Sequence, residues 1–412
     1  QYPEDPPGGA YDLYFTNFGW YGLTTPDGKI QSTIQGDDYY GYLEVHSNFG
    51  STNLFNTTGV PALKVTVAHE LFHLFHMAYT FDLDDLWLYE FTASWFEEIN
   101  YPEVNDYVNY VITFFNDPRP LHLGSKVNRY PLTGYRVAHY GFILDTYQNP
   151  LLLEKIWSNY KSFRAYDAID KSLQSIGYSF IDSYLKFAGW NLATGQNVVN
   201  GFGYPDAQAY PSIRLESEDT LQIFIPDSLA YSSLISERDI KYVKLRKGNT
   251  LENHFELVNL GNSQVGTSVG LFGNLQNFSY AQPNERYSIS FNNGSDGIIA
   301  LVNASNDTSS ITIQRVNVLR PFPNPYVLSE LSSPLNLFAI LGNESQLNIQ
   351  VYDLLGRRLY QSNLGGTVFP SGKNTIPIQV ENSPLAEVSS GVYFIRLQGE
   401  NYNETAKITI LR

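Results

Sequence analysis

Residues 65–98, VTVAHELFHLFHMAYTFDLDDLWLYEFTASWFEE, decide how the N-terminal half of the chain is read. Within them, His69-Glu70-Leu71-Phe72-His73 sets two imidazoles four residues apart, on one face of a helix and about 6 Å apart along its axis, so that both can bind one ion. Glu70 sits beside them, unbound. Zinc held by two His and a distant carboxylate keeps a fourth position for water, lowers the pKa of that water and leaves a nearby Glu to take its proton. That is the chemistry of peptide-bond hydrolysis. Pro61 suits the start of such a helix, and Leu63, Val67, Leu71, Leu74 and Met77 are expected to form its buried face. A pair of helix-face histidines satisfied by protein neighbours has the same spacing and needs no metal. His76 is a rival third ligand, but it stands about 10 Å along the axis from His69, too far for one tetrahedral ion on an unbroken helix. It is read as a support for the ligands or as a packed residue. Asp82, Asp84 and Asp85 cap the next helix or hold a calcium ion, Ca2+. Glu97 and Glu98 are expected to face solvent.

The chain has 412 residues, too many for one ordinary core, and 43% of them are hydrophobic, as in a globular protein. A net charge of −15 argues against nucleic-acid binding, and no run of about eighteen apolar residues marks a transmembrane segment. Without Cys there are no disulfides and no thiolate metal sites, which leaves His and carboxylate as the strong ligands. The numbering opens at Gln1 and the sole Met is Met77, as expected of a secreted protein that has lost an export signal.

Asp85-Leu86-Trp87-Leu88-Tyr89-Glu90-Phe91-Thr92-Ala93-Ser94 resembles the second zinc-binding helix of gluzincin metallopeptidases, which carries a Trp-Leu-x-Glu-x-x-Ala pattern. The resemblance implies one catalytic Zn2+ on His69, His73 and Glu90, with Glu70 as the base. It also implies an oxyanion donor, a Tyr or His beyond the Glu ligand: Tyr140 first, His139 second, with Tyr135 in the same TGYRVAHYGF stretch. Any one of these tyrosines could equally be packed, since the chain has 31 of them. By position, the alternating run Tyr42 to His46 would be the cleft-edge strand that pairs with substrate in that clan, or else a plain core strand. Asn105-Asp106-Tyr107 and Phe187-Ala188-Gly189-Trp190-Asn191 look like stretches in secreted bacterial proteins related to metalloproteases.

Strand-like runs lie at Tyr11 to Phe15 and Tyr39 to His46. Helical periodicity follows at Asp106 to Phe115, Tyr135 to Gln148, Pro150 to Tyr160, Ala165 to Ile176 and Phe180 to Ala193. Near residue 206 the composition changes. All five Trp and six of the seven His precede it, and short alternating runs follow, from Leu221 to Ile225 through Ile311 to Val316. The expected architecture is multidomain α+β: a mostly helical zinc-peptidase domain over 1–206, then two β-sandwich (Ig-like) domains over 207–318 and 319–412.

Pro321-Phe322-Pro323-Asn324-Pro325, Val351-Tyr352-Asp353-Leu354-Leu355-Gly356-Arg357 and Ser390-Gly391-Val392-Tyr393-Phe394-Ile395-Arg396-Leu397 resemble the C-terminal sorting domain of type IX secretion substrates. The resemblance implies the type IX secretion machinery as a partner, export across the outer membrane of a Bacteroidota-type bacterium, and release or attachment at the cell surface. The expected function is that of a secreted zinc-dependent endopeptidase acting on protein or peptide substrates. The competing expectation is a non-catalytic cell-surface or fibre-forming structural protein built on a peptidase-like scaffold, with self-assembly through exposed strand edges. A metal-dependent hydrolase of another substrate class would use the same residues.

Overall fold

The computed structural model describes residues 9–412 apart from 33, 35, 51–54, 125–132, 216–219, 222–229, 246–251, 262–264, 272–273, 282–285, 293–296, 317, 329–333 and 401. It is an α+β protein with helices and several sheets. Strands β1 (Leu13–Thr16), β2 (Gly22–Ser32) and β3 (Asp37–His46) make a sheet in the order β1-β3-β2, with β3 parallel to β1 and antiparallel to β2. The run at residues 42–46 is therefore a central strand, and the expectation that it edges a cleft is corrected: the edge beside the helix is β2. Irregularities between Pro26 and Gly28 and between Lys29 and Gln31 break its alternation, which hides it as a strand in the sequence.

Helix α1 (Gly59–Tyr79) lies against β3 on one side and α2 (Leu86–Asn100) on another. Covered twice, it buries Ala62, Val65, Phe72, Leu74 and Met77, while Leu63, Val67 and Leu71 are only partly buried. The single apolar stripe expected of a surface helix does not describe it. Among the described residues, five further α-helices follow: α3 (Val108–Asn116), α4 (Tyr140–Asp145), α5 (Leu152–Tyr160), α6 (Ala165–Gln174) and α7 (Phe180–Leu192). Ser179 and Asp182 form a capping box at the start of α7, and Asp170 Oδ1 accepts from Phe180 N at 2.7 Å, which satisfies N–H groups that the helix leaves free. Trp87, Phe91, Phe114, Tyr140, Trp157 and Phe187 fill the space between the helices. Rings of this size bury 150–250 Å2 each, and at about 25 cal/mol per Å2 they dominate the stability of the lobe.

The helical core continues past residue 206. Ile240, Tyr242, Ile298, Ala300 and Val302 belong to the same buried cluster as the helices. Their strands sit in a five-stranded sheet in the order Thr220–Leu221, Ile240–Leu245, Gly297–Asn303, Val265–Leu271, Asn274–Ala281. Helix α7 packs on this sheet, Tyr184 donates to Arg238 O at 2.7 Å and Asn191 donates to the Tyr242 hydroxyl at 3.1 Å. A four-stranded sheet in the order Arg286–Asn292, Glu252–Asn259, Ser309–Val316, Ala230–Ile235 completes the middle block. The expected run at residues 222–225 lies outside the described residues.

Residues from Leu319 onward have their own core, which joins Leu335, Leu337 and Ile376 of a three-stranded sheet to Ile349, Ile395 and Ile408 of a five-stranded one. That five-stranded sheet runs Tyr326–Val327, Asn403–Leu411, Gly391–Gln398, Asn348–Tyr352, Arg358–Ser362.

Candidate metal centre

Helix α1 presents His69 and His73 one turn apart, and α2 brings Glu90 against them. Glu90 Oε2 lies 3.1 Å from His69 Nε2 and 3.5 Å from His73 Nε2. Ligand bonds of about 2.0–2.2 Å to a tetrahedral ion make edges of about 3.3–3.6 Å, which these two separations approach, and the ligand atoms of His69, His73 and Glu90 all lie within 4.8 Å of one another. Among the described residues this is the group of His, Cys, Asp and Glu arranged to hold a metal.

The far sides of both rings are pinned. His69 Nδ1 donates to Glu97 Oε1 at 2.6 Å. Burial pushes the Glu97 carboxyl up to about 7, against the pull of His69. His76 Nε2 lies 3.0 Å from Thr92 Oγ1, whose proton goes to Leu88 O at 2.8 Å. With that proton on Leu88 O, the hydroxyl accepts from His76 Nε2–H. Burial lowers the His76 pKa well below its usual value, and in that tautomer its Nδ1, 3.1 Å from His73 Nδ1, is placed to accept from His73 Nδ1–H. In the tautomers that carry Nδ1–H, both Nε2 atoms present lone pairs to a carboxylate oxygen. Such an arrangement is repulsive unless a proton or a cation lies between them, and the donor set fits a zinc ion. Burial disfavours charge on His69, but Glu90 and Glu97 outweigh it and raise its pKa well above the ordinary range.

His76 itself stacks on Trp157, with centroids 4.1 Å apart, and stands behind His73 and not beside Glu90. Glu97 and Glu98 are both 8% exposed, which corrects the expectation that they face solvent. Glu97 lies two helical turns from Glu90 on the same face of α2, a spacing that could have marked it in the sequence. Burial, with Asp206 nearby, raises the Glu98 carboxyl to about 8.

Glu70 points from α1 toward β2. Thr24 Oγ1 donates to Glu70 Oε2 at 2.7 Å and lies 2.8 Å from Glu70 O. Gly22 crosses so close that a Cβ there would stand 2.6 Å from Glu70 Cγ and 2.7 Å from Oε1. Neither residue stands out in the sequence.

Of the three oxyanion candidates, Tyr135 reaches the cluster. Its ring stacks on His69 at 5.4 Å and 3° between planes, and its hydroxyl lies 3.5 Å from His69 Nε2. Gly134 makes this possible: at φ +89° it passes α2 where a Cβ would lie 2.5 Å from Trp87 O and 2.6 Å from Glu90 Cβ. The expected helix over 135–148 is instead a 3-10 turn at Tyr135–Val137 followed by α4. Tyr140 consequently faces inward, fully buried, with its hydroxyl 2.6 Å from Ser183 Oγ and its ring against Phe91 and Phe187. His139, also fully buried, is packed among Phe114, Phe115, Phe187 and Tyr204. The first- and second-choice oxyanion donors are thereby corrected: both are core residues. Asp82, Asp84 and Asp85, the residues of the calcium expectation, converge on the guanidinium of Arg164 at 2.6, 2.8 and 3.6 Å, and Asp82 Oδ1 also caps the short turn by accepting from Asp84 N. That guanidinium balances one of their three charges.

Residues 322–411 match the family of the secretion system C-terminal sorting domain. The protein is therefore a type IX secretion substrate, secreted or held at the cell surface of a Bacteroidota-type bacterium, and the secretion machinery is its partner. No helix of the described residues is long and apolar enough to cross a membrane. No curated protein matches the chain. Among solved structures it is similar to PirA, at 13% identity over 23% of this chain and 98% of that one, with a TM-score of 0.19. It is also similar to PorZ, a surface component of the type IX secretion system of Porphyromonas gingivalis (14% identity, 27% of this chain, 15% of that one, TM-score 0.18). An FMN-binding β-glucuronidase from Faecalibacterium prausnitzii matches at 12% identity over 42% of this chain and 32% of that one, TM-score 0.15. The chain thus spans under a third of the length of the last two, and TM-scores this low carry no inference about fold or activity.

Proposed function

We propose that the protein is an exported zinc-dependent endopeptidase, with His69, His73 and Glu90 holding the ion. The observation that carries this reading is the convergence of the His69 and His73 Nε2 atoms on Glu90 Oε2, at 3.1 and 3.5 Å, each ring fixed from behind by its own partner. A zinc ion bound there supplies positive charge that acidifies a water and polarises a carbonyl. Glu70, free of the ligand set and oriented by Thr24, takes the proton of the attacking water and passes it to the leaving amine. Tyr135, beside His69 Nε2, donates its hydroxyl to the oxygen on which negative charge develops. What favours a peptide over other substrates is β2: among the described residues it pairs with β3 alone, so its other edge, beside Glu70, is available for an extended backbone. The test is Glu70→Gln in the full chain, assayed on a denatured protein substrate. Zinc should stay bound while hydrolysis falls by about a hundredfold to ten-thousandfold. A wild-type rate in that variant would remove Glu70 from the chemistry.

A further inference from the structure

Leu354 and Leu355 stand at the tip of the turn that joins Asn348–Tyr352 to Arg358–Ser362, at the outer hairpin of the C-terminal five-stranded sheet. They are 68% and 79% exposed and take no part in the domain core. The turn beneath them is fixed. Asp353 accepts from Leu355 N and Arg357 N at 2.9 Å each and from Arg357 Nε at 2.7 Å, and Gly356 takes the left-handed conformation at φ +78°. Asp and Gly are the residues this turn requires, whereas the two positions between them would take Asn, Ser or Lys at least as well. Leucine there does nothing for the fold and places two large apolar side chains in water. Arg357 and Arg358 flank the tip, both exposed, in a chain whose net charge is −15.

We infer that this rigid tip, two leucines with two arginines beside them, is the surface by which the sorting domain docks on the export machinery, into an apolar pocket rimmed by carboxylates. The partner follows from the match of residues 322–411 to a secretion sorting domain, and the geometry suits it. A preorganised apolar pair loses little side-chain freedom on burial, and the cations add orientation. The inference is independent of the metal centre.

The experiment is Leu354→Ser with Leu355→Ser in the full chain expressed in the native host, with Val368→Ser, another exposed apolar residue of the same domain, as the comparison. The double variant should melt at the wild-type temperature, and export should fall more than about tenfold as protein accumulates in the periplasm, since a buried anchor residue carries a large share of an interface. Val368→Ser should be exported normally. Arg358→Glu, which keeps the leucines and opposes the proposed carboxylates, should also impair export. Normal export of the double variant would overturn the proposal, as would an equal defect in Val368→Ser. So would export that is unchanged while self-association of the purified chain is lost, which would assign the tip to a second copy.

Discussion

Replacing Glu97 by Ala removes the carboxylate behind His69 without touching a proposed ligand. The 2.6 Å bond to His69 Nδ1 is buried and charge-assisted, and it fixes both the ring angle and the tautomer that leaves Nε2 free. Partners of this kind are worth about ten- to a hundredfold in metal affinity, or about 1.4–2.7 kcal/mol. Glu97→Gln keeps an acceptor oxygen and loses the charge. Because charge-assisted hydrogen bonds are roughly twice as strong as neutral ones, it should show about half that free-energy loss. The assay is competition for zinc between the full chain and a chromophoric chelator. Glu98→Gln serves as the control, since Glu98 is equally buried but is not hydrogen-bonded to His69. A Glu97→Ala affinity within about twofold of wild type would refute the reasoning, because the ring would then need no support from behind.

His76→Phe keeps a ring on Trp157 and deletes the relay from His73 to Thr92; zinc should remain stoichiometric with about a tenfold loss of affinity, read in the same competition. Tyr135→Phe should lower turnover by about a hundredfold or more with little change in KM, whereas Tyr140→Phe, which loses only its bond to Ser183, should cost about 1 kcal/mol of stability at unchanged turnover. Glu98 should make the fold sensitive to alkaline pH. Its folded pKa of about 8 exceeds the ordinary 4.5, so the native state binds the extra proton between those values and stability falls as pH rises through that window. Glu98→Gln should therefore melt like wild type near pH 4.5 and higher than wild type at pH 8, by about 1–2 kcal/mol once solvent access to the group is allowed for. A melt that does not separate from wild type at pH 8 would mean that the carboxylate finds water.

His69, Glu70, His73 and Glu90 are legible because their relation is local: an i, i+4 spacing on one helix and a ligand one short loop away. The export domain is legible for a similar reason, its turns and alternating runs recurring in order along one continuous segment. Thr24, Glu97 and Tyr135 depend on how separate elements meet. Thr24 lies on a strand disguised by Pro26 and Gly28, and Glu97 lies in the last turns of a helix whose face reads as exposed until α1 packs against it and brings His69 to it. Tyr135 shows how one backbone angle redirects a motif. A continuous helix from 135 would send Tyr140 and Tyr135 to different faces with no means of choosing between them, and the left-handed turn at Gly134 chooses, by letting the chain touch α2 at Glu90. His76 lies between these cases, since its distance from His69 along the axis argues against a ligand, but its partners, Thr92 on α2 and the Trp157 ring, come from other elements.

Zinc per chain, measured on the full wild-type protein and on Glu90→Ala after equilibration with excess zinc and removal of the unbound ion, tests the central claim most directly. Glu90 is the proposed ligand contributed by the second helix, and two imidazoles alone would leave an ion under-coordinated. The account predicts one tightly held zinc in the wild-type chain and loss of most of it in Glu90→Ala. A wild-type chain that retains no zinc, or a Glu90→Ala chain that retains it fully, would contradict the account.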